Sequence, residues 1–199
     1  MKQTHPHHIA LLDLSTEAQH AIIAVGEKRT LSALSDSPFL RPSAAFELMK
    51  RPSRGRFKNA LRRIDDLEMI SKYSVGGGTN AALIARNLHT PVQVLDEIAK
   101  SRTQASFWAL ANPRTNEEIR RSELTVDRIE EITSLGQSNS DRLARSMEIA
   151  FANPWLGEIA DELPSRVQRA LLIDPRRLDG TAERIARASR MQWPMVKLI

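Results

Sequence analysis

The sequence predicts an all-α fold, a short helical-repeat solenoid with units of about 25 residues and a less regular helical C-terminal part. Aromatic residues make up only 5% of the 199 residues, so aliphatic and alanine side chains must form the core, which suits packed helices. Asn-Pro steps that stop helices recur at Asn112-Pro113 and Asn153-Pro154. Apolar residues with helical spacing follow capping residues at nearly equal intervals.

The composition excludes several classes of protein. Hydrophobic residues at 41% and charged residues at 27% are ordinary for a globular chain, so a disordered chain is not predicted. The absence of cysteine excludes disulfides and thiolate metal sites, and it fits a reducing compartment. No apolar run approaches the ~18 residues of a membrane span, and the polar N-terminus is unlike a signal peptide. We therefore expect a cytoplasmic protein without membrane segments.

Helix starts recur in register along the first half of the chain. In the clearest unit, Thr90 is predicted to cap a helix whose first turn contains Pro91. That helix is expected near residues 91–100, and a second helix near 105–111 is expected to bury Phe107 or Trp108. Equivalent starts lie about 25 residues apart, at Ser15-Thr16, Arg41-Pro42-Ser43, Asp65-Asp66 and Thr115-Asn116. Units this small cannot bury their own apolar faces, so neighbours must stack.

A family resemblance is carried by Asn87-Leu88-His89-Thr90-Pro91, by the helix with Leu95, Ile98 and Ala99, and by Asn112-Pro113-Arg114-Thr115. These residues resemble the variant leucine-rich repeat. The resemblance implies units of roughly 24 residues that pair an α-helix with a shorter, often 3₁₀, helix in a right-handed stack without strands. It also implies binding or scaffolding rather than catalysis. The cysteine-ligated iron–sulfur segment of some members is not implied, because this chain has no cysteine.

The patterns divide the chain into three segments. Residues 1–14 are predicted to be an N-terminal tail, residues 15–122 helical repeats, and residues 123–199 an irregular helical part that either continues or caps the solenoid. Thr125 is expected to cap an amphipathic helix in this last part. Residues 134–140 are the best candidate for an internal loop. The apolar segment 191–199 either covers the last repeat or docks on another chain.

The most pointed functional feature is a basic run without any acidic residue. Its cations are Lys50, Arg51, Arg54, Arg56, Lys58, Arg62 and Arg63. One repeat later in the chain, Arg86 is expected to join Arg62 and Arg63 on a neighbouring turn. With Gly55 and Phe57 among them, these cations have the character of a grip for a phosphate backbone. A solvated face or a patch for an acidic protein fits the same pattern, and the net charge of +5 permits nucleic acid without requiring it.

No catalytic or metal-binding constellation stands out in the sequence. The segment Gly76-Gly77-Gly78-Thr79 lacks the lysine of a phosphate loop and is predicted to be a turn. The acidic pairs Asp65-Asp66, Glu117-Glu118 and Glu130-Glu131 are expected near helix starts, where they favour the helix dipole. The sequence proposes no nucleophile–base pair, and His5, His7 and His8 lie in the tail without a nearby carboxylate. We therefore predict no enzyme, no cofactor and no metal.

The predicted function is a non-catalytic binding module, with two alternatives for the partner. The favoured alternative is a protein-interaction scaffold or adaptor, and the other is a solenoid that binds nucleic acid through the basic run. Trp155, which follows a helix stop, and Trp193, in the apolar C-terminal segment, are candidate partner anchors. Trp108 is predicted to belong to the core. Homo-oligomerisation through the C-terminal tail is compatible with either alternative.

Overall fold

The computed structural model describes residues 12–52, 54–76, 78–135 and 137–192. Every regular element in these ranges is an α-helix or a 3₁₀ helix, and none is a β-strand. The prediction of an all-α fold is therefore confirmed. Within the same ranges, no helix combines the length and the apolar character that crossing a bilayer requires.

The chain divides into two compact units, and the division lies between Ala109 and Leu110. The first unit contains α1 (Thr16–Val25), α2 (Lys28–Ser35), α3 (Pro42–Lys50), α4 (Leu67–Ser74), α5 (Thr79–Ala85) and α6 (Val92–Lys100), with 3₁₀ helices at Arg54–Arg56 and Lys58–Arg62. Helix α7 (Ser106–Leu110) spans the division. The second unit contains α8 (Glu117–Glu123), α9 (Val126–Ser134), α10 (Asn139–Ala152), α11 (Ser165–Ile173) and α12 (Thr181–Gln192), with a 3₁₀ helix at Pro154–Ile159.

Four helices begin at equal intervals along the chain. Helices α3, α4, α6 and α8 begin at residues 42, 67, 92 and 117, so each start lies 25 residues after the previous one. Helices α2, α5 and α7 end at residues 35, 85 and 110, which are separated by 50 and 25 residues. Between α3 and α4, the 3₁₀ helix Lys58–Arg62 takes the place of a second α-helix. The helix boundaries thus follow the spacing of the starts expected from the sequence.

Side chains cap several of these helix starts, as the sequence predicts. Each capping oxygen accepts a hydrogen bond from a backbone N–H two or three residues further on, and the capping residues are Ser15, Asp66, Asn116 and Thr125. The predicted cap at Thr90 was wrong. Pro91 is the N-cap of α6, and Thr90 Oγ1 donates to the carbonyl oxygen of Ile84 at 2.7 Å. The hydroxyl is buried, and its proton is satisfied by a carbonyl group in the last turn of α5 that also accepts from the backbone N–H of Asn87.

The same side-chain turn follows α2, α5, α7 and α11. The side-chain oxygen of Asn87 accepts a hydrogen bond of 2.9 Å from the backbone N–H of His89, two residues further on. Equivalent bonds are made by Ser37, Asn112 and Asp174. Such turns redirect the chain after a helix because the side chain satisfies a backbone group that has left the helix.

The core of the first unit consists mainly of small and aliphatic side chains. Alanines in the helices have no exposed surface and let the backbones approach closely. They are Ala44, Ala45, Ala81, Ala85 and Ala99. Phe57 and Phe107 are the large aromatic members, with exposed fractions of 0% and 1%. Trp108, which the sequence assigns to the core, is half-buried and meets the ring of Phe107 edge-on.

In the second unit, α10 packs along α11. Helix α10 begins with a capping box in which Ser138 Oγ accepts from the backbone N–H of Asp141, and the Asp141 carboxylate accepts from the backbone N–H of Ser138. The predicted loop at residues 134–140 is therefore short, since α9 ends at residue 134 and α10 begins at residue 139. Reciprocal capping of this kind defines the start of α10 locally.

A buried polar pair holds the chain of the second unit around the end of α10. The Asn153 amide donates to the carbonyl oxygens of Leu110 and Ile149, and its side-chain oxygen accepts from Arg120 Nη1 at 2.8 Å. Arg120 is 7% exposed, and burial lowers the pKa of its guanidinium. Its other donors reach backbone carbonyls, including that of Ala152. The Arg120–Asn153 pair therefore donates to backbone carbonyl groups that a regular helix leaves without a donor.

Candidate functional site

Several cations of the first unit make no ion pair with any residue in the described ranges, among them Lys28, Arg29, Lys72, Lys100 and Arg102, and six others without an ion pair lie on or beside the two 3₁₀ helices and directly after α5. These six are Arg54, Arg56, Lys58, Arg62, Arg63 and Arg86, and together we call them the basic surface. Arg54, Arg56 and Lys58 are exposed on the two 3₁₀ helices, and Arg86 is exposed after α5. Because no carboxylate in the described ranges lies within ion-pair distance of these charges, the surface attracts anions.

Lys50 and Arg51, which the sequence assigns to the same run, have partners within the protein. Lys50 Nζ lies 3.9 Å from the centre of the Phe46 ring and 3.5 Å from the carboxylate of Glu47. Arg51 Nη2 donates to the carbonyl oxygen of Ile23 at 2.6 Å. These two cations are therefore engaged at the junction of α1 and α3, apart from the six unpaired ones.

Phe57 does not take part in the predicted phosphate grip. Its side chain has no exposed surface. Phe57 lies between the two 3₁₀ helices, and burial of a phenylalanine ring is worth about 1.5–3 kcal/mol. The expectation is corrected accordingly, because Phe57 anchors the basic segment to the core and does not face a ligand.

Arg62 is the partly buried member of the basic surface. Its Nε atom is shielded from solvent and has no hydrogen-bond partner in the described part of the chain. Burial lowers the pKa of Arg62, the charge of Arg86 lowers it further, and Asp36 opposes both. The carboxylate of Asp36 already accepts a hydrogen bond from Asn59. Arg62 is therefore a partly desolvated cation beside a second cation, and Asp36 compensates its charge only in part.

Asn87 holds the segment 61–64 next to Arg86. The buried amide of Asn87 donates to the two carbonyl oxygens at the ends of this segment, at 2.8 and 2.7 Å. Arg62 and Arg63 lie between those carbonyls, and Arg86 directly precedes Asn87 in the chain. The structure thus places Arg62 beside Arg86, and the buried side chain of Asn87 holds the backbone on both sides of Arg62 and Arg63.

Arg86 is oriented by an aromatic ring. Its Cζ atom lies 4.1 Å from the centre of the Trp108 ring, within the range of a cation–π contact. A guanidinium stacked on an aromatic face keeps its N–H groups directed outward in the plane of the fork. The contact therefore limits the freedom of Arg86 before any ligand binds. Sequence reasoning missed this role of Trp108 because the two residues are 22 positions apart.

Position 62 lacks the side-chain turn that is found 25 residues before it and 25 residues after it. Counting 25 residues forward from Ser37 or back from Asn87 gives position 62. A guanidinium has no acceptor atom, so Arg62 cannot make the turn that Ser37 and Asn87 make. Departures from a local rule concentrate at functional sites. The departure singles out Arg62 as a candidate ligand-binding residue.

Trp155 and Trp193 are the two candidate partner anchors in the second half of the chain. Trp155 is half-buried in the 3₁₀ helix Pro154–Ile159, and its indole Nε1 is shielded from solvent without a hydrogen-bond partner in the described ranges. Arg121 lies 4.6 Å from the ring centre and pairs with Glu117 and Glu158. Trp155 is thus partly covered by its own unit. Trp193 lies outside the described residues.

Two of the three acidic pairs lie at helix starts, as predicted, and the third does not. Asp66 caps α4, and Glu117 and Glu118 lie in the first turn of α8. Glu130 and Glu131 do not lie near a start, because α9 begins at Val126. They pair instead with arginines, Glu130 with Arg166 and Glu131 with Arg128.

The glycine segment lies partly, and the three histidines of the N-terminal tail lie wholly, outside the described residues. Gly76 has a positive φ of 94°, which fits the predicted turn, and Gly77 lies outside the described residues. No group of three or more His, Asp or Glu side chains in the described ranges is placed to hold a metal ion. His5, His7 and His8 also lie outside the described residues.

One nucleophile–base contact escaped the sequence reasoning. Ser43 Oγ lies 3.1 Å from His20 Nε2, which joins α1 and α3 across 23 residues. Ser43 is exposed, and the described residues provide no hydrogen bond that orients the second ring nitrogen of His20. An activated serine requires such an orienting group. The contact therefore serves as a surface link between two helices.

A groove of about 470 Å³ lies in the second unit. Apolar side chains make up most of its lining, and they include Pro113, Ala144, Met147 and Phe151. Glu148 and Arg176 also contact the groove. Its lining suits an apolar side chain of a partner better than a charged ligand.

Comparison with known proteins adds no assignment. No protein-family model matches the chain, and searches of curated proteins and of solved structures find no similar protein.

Proposed function

We propose that this chain is a non-catalytic helical-repeat module that binds nucleic acid through the basic surface. Two features support a repeat, namely the helix starts 25 residues apart and the recurring side-chain turn. The resemblance to the variant leucine-rich repeat points the same way. Stacked repeats present extended surfaces, and such surfaces commonly serve binding.

The observation that carries the proposal is the set of six unpaired cations. An interface for nucleic acid is more positive than one for protein, since each phosphate contact releases a counterion. Five of the six cations are arginines, which match phosphate with two parallel hydrogen bonds. The sequence by itself favours a protein partner, whereas the charge arrangement supports nucleic acid better.

The test is fluorescence anisotropy with labelled single- and double-stranded DNA and RNA at about 50 and 200 mM salt. We expect the affinity to fall steeply with salt. The double variant Arg62→Ala/Arg63→Ala should bind more weakly and should reduce the slope of log K against log salt by about 2. The matched control is Arg169→Ala/Arg187→Ala, which removes two exposed cations of the second unit. Absence of binding at the lower salt concentration would contradict the proposal.

A second candidate function is a protein-interaction scaffold or adaptor. It is favoured by the apolar groove of the second unit, where Met147 and Phe151 are half-buried. The candidates are separated by matched affinity captures with the wild type, Phe151→Glu and the Arg62/Arg63 variant. A protein partner lost only with Phe151→Glu would support the scaffold, and one lost only with the arginine variant would assign the partner to the basic surface.

A further inference from the structure

We propose that Arg62, Arg63 and Arg86 form a discrete phosphate-binding site, and that its phosphate belongs to the backbone of a nucleic acid strand. This inference rests on the proposed function, because it names the ligand chemistry within the same basic surface. It goes further by separating three residues that act as one site from three that contribute only general attraction.

The first argument is burial. Arg62 is half-buried, and its Nε donor has neither solvent nor a described partner. A desolvated donor without a partner costs roughly 1–3 kcal/mol, more for a charged group. A protein keeps such a group where a ligand or a substantial gain elsewhere compensates it. A phosphate oxygen near the guanidinium of Arg62 would supply the missing counter-charge.

The second argument is preorganisation. Two hydrogen bonds from Asn87 fix the chain on both sides of Arg62 and Arg63. The ring of Trp108 orients Arg86, whose Cζ atom lies 4.1 Å from the ring centre. Long arginine side chains otherwise lose much rotamer freedom on binding. Because part of that loss already occurs in folding, the site favours tight binding of one anion.

The third argument selects phosphate over carboxylate. A carboxylate offers two oxygens, which suits one arginine fork. A phosphodiester in a strand offers two unesterified oxygens together with bridging oxygens, and its neighbours in the strand carry further charges. The number of free oxygens is the same for the two anions, so the neighbouring charges decide, and a row of cations matches a chain of phosphates better than an isolated carboxylate. Arg54, Arg56 and Lys58 lie just before the site in sequence and provide cations for adjoining phosphates.

The experiment compares two double variants of equal charge in the full chain. Arg62→Gln/Arg86→Gln alters the site, and Arg54→Gln/Arg56→Gln alters only exposed cations of the same surface. With a labelled oligothymidylate at one salt concentration, we expect the first variant to lose at least about tenfold in affinity and the second about threefold or less. Equal losses would overturn the discrete site while leaving nucleic-acid binding intact.

A second arm uses inorganic phosphate and a thermal melt at constant ionic strength. We expect phosphate to raise the Tm of the wild type and not that of Arg86→Gln, a variant of an exposed residue that folding tolerates. Phosphate stabilisation without oligothymidylate binding would keep the site and overturn its assignment to nucleic acid. Binding of a phosphoserine peptide in place of the oligonucleotide would do the same in favour of a protein. No response to either probe would overturn the whole inference.

Discussion

At the scale of single residues, the buried amide groups carry much of the specificity of this fold. Asn87 makes two donor bonds to segment 61–64 and accepts one from the backbone of His89. Asn153 plays a similar part in the second unit, where Arg120 is its partner. Each side chain satisfies backbone groups that lie far apart in sequence. Loss of such a residue therefore leaves several buried groups without partners.

We predict that Asn87→Ala lowers the free energy of unfolding by roughly 2–4 kcal/mol, because buried carbonyl groups lose their donors. Chemical denaturation measures the change. His89→Ala serves as the control, since His89 is exposed and is expected to change stability by less than about 0.5 kcal/mol. Asn87→Ala should also weaken phosphate binding, because Asn87 positions Arg62 and Arg63. An Asn87→Ala protein as stable as the wild type would show that solvent replaces these bonds.

At the scale of elements, surface ion pairs join helices that sequence spacing does not relate. Arg121 of α8 contacts Glu158 of the 3₁₀ helix Pro154–Ile159 through two N–H···O bonds of 3.1 and 3.3 Å. The hydrogen bonds from Arg121 lower the pKa of Glu158 below its ordinary value of 4.5. A group with a depressed pKa stabilises the folded state above its unfolded pKa, and the contribution disappears as the pH falls through the folded pKa.

We predict that Glu158→Gln lowers the Tm slightly at neutral pH, since both partners are solvent-exposed and screened. The difference from the wild type should shrink as the pH falls below 4.5, where the wild-type carboxylate becomes protonated. Thermal melts at a series of pH values measure it, with Glu97→Gln in the exposed face of α6 as the control. A difference that is constant down to acid pH would assign the effect to packing and not to charge.

At the scale of the whole molecule, the division into two compact units raises the question whether each unit unfolds independently. Trp108 reports on the first unit and Trp155 on the second, once Trp193 is replaced by phenylalanine. In a repeat array, which is the architecture proposed above, stability is approximately a sum of local terms and nearest-neighbour terms. A local lesion should therefore move mainly the signal of its own unit.

We predict that Arg120→Ala lowers the denaturation midpoint reported by Trp155 more than that reported by Trp108. Arg120 donates to carbonyls and to the Asn153 side chain of the second unit, and each buried acceptor that loses its donor costs about 1–3 kcal/mol. Asn87→Ala should show the reverse order. Fluorescence unfolding of single-tryptophan variants measures both midpoints. Coincident shifts in both variants would indicate one cooperative unit.

The helical class and most helix starts follow from local patterns in the sequence. Capping by Asp66, Asn116 and Thr125 involves backbone groups two or three residues away, so the pattern alone contains the interaction. The spacing of 25 residues likewise repeats local signals. The sequence also pointed to the arginines as candidates for binding, although it could not distinguish a cation with a partner inside the protein from an unpaired cation.

Which residues contact one another depends on how the helices pack. Thr90 turns inward to a carbonyl, Phe57 enters the core, and Arg86 stacks on Trp108 beside Arg62. The contacts of Arg86 span more than 20 positions of the sequence. Helical periodicity specifies which face of a helix is apolar and leaves open which neighbour that face meets. Burial, and with it the charge environment of the basic surface, is therefore a property of the packed chain.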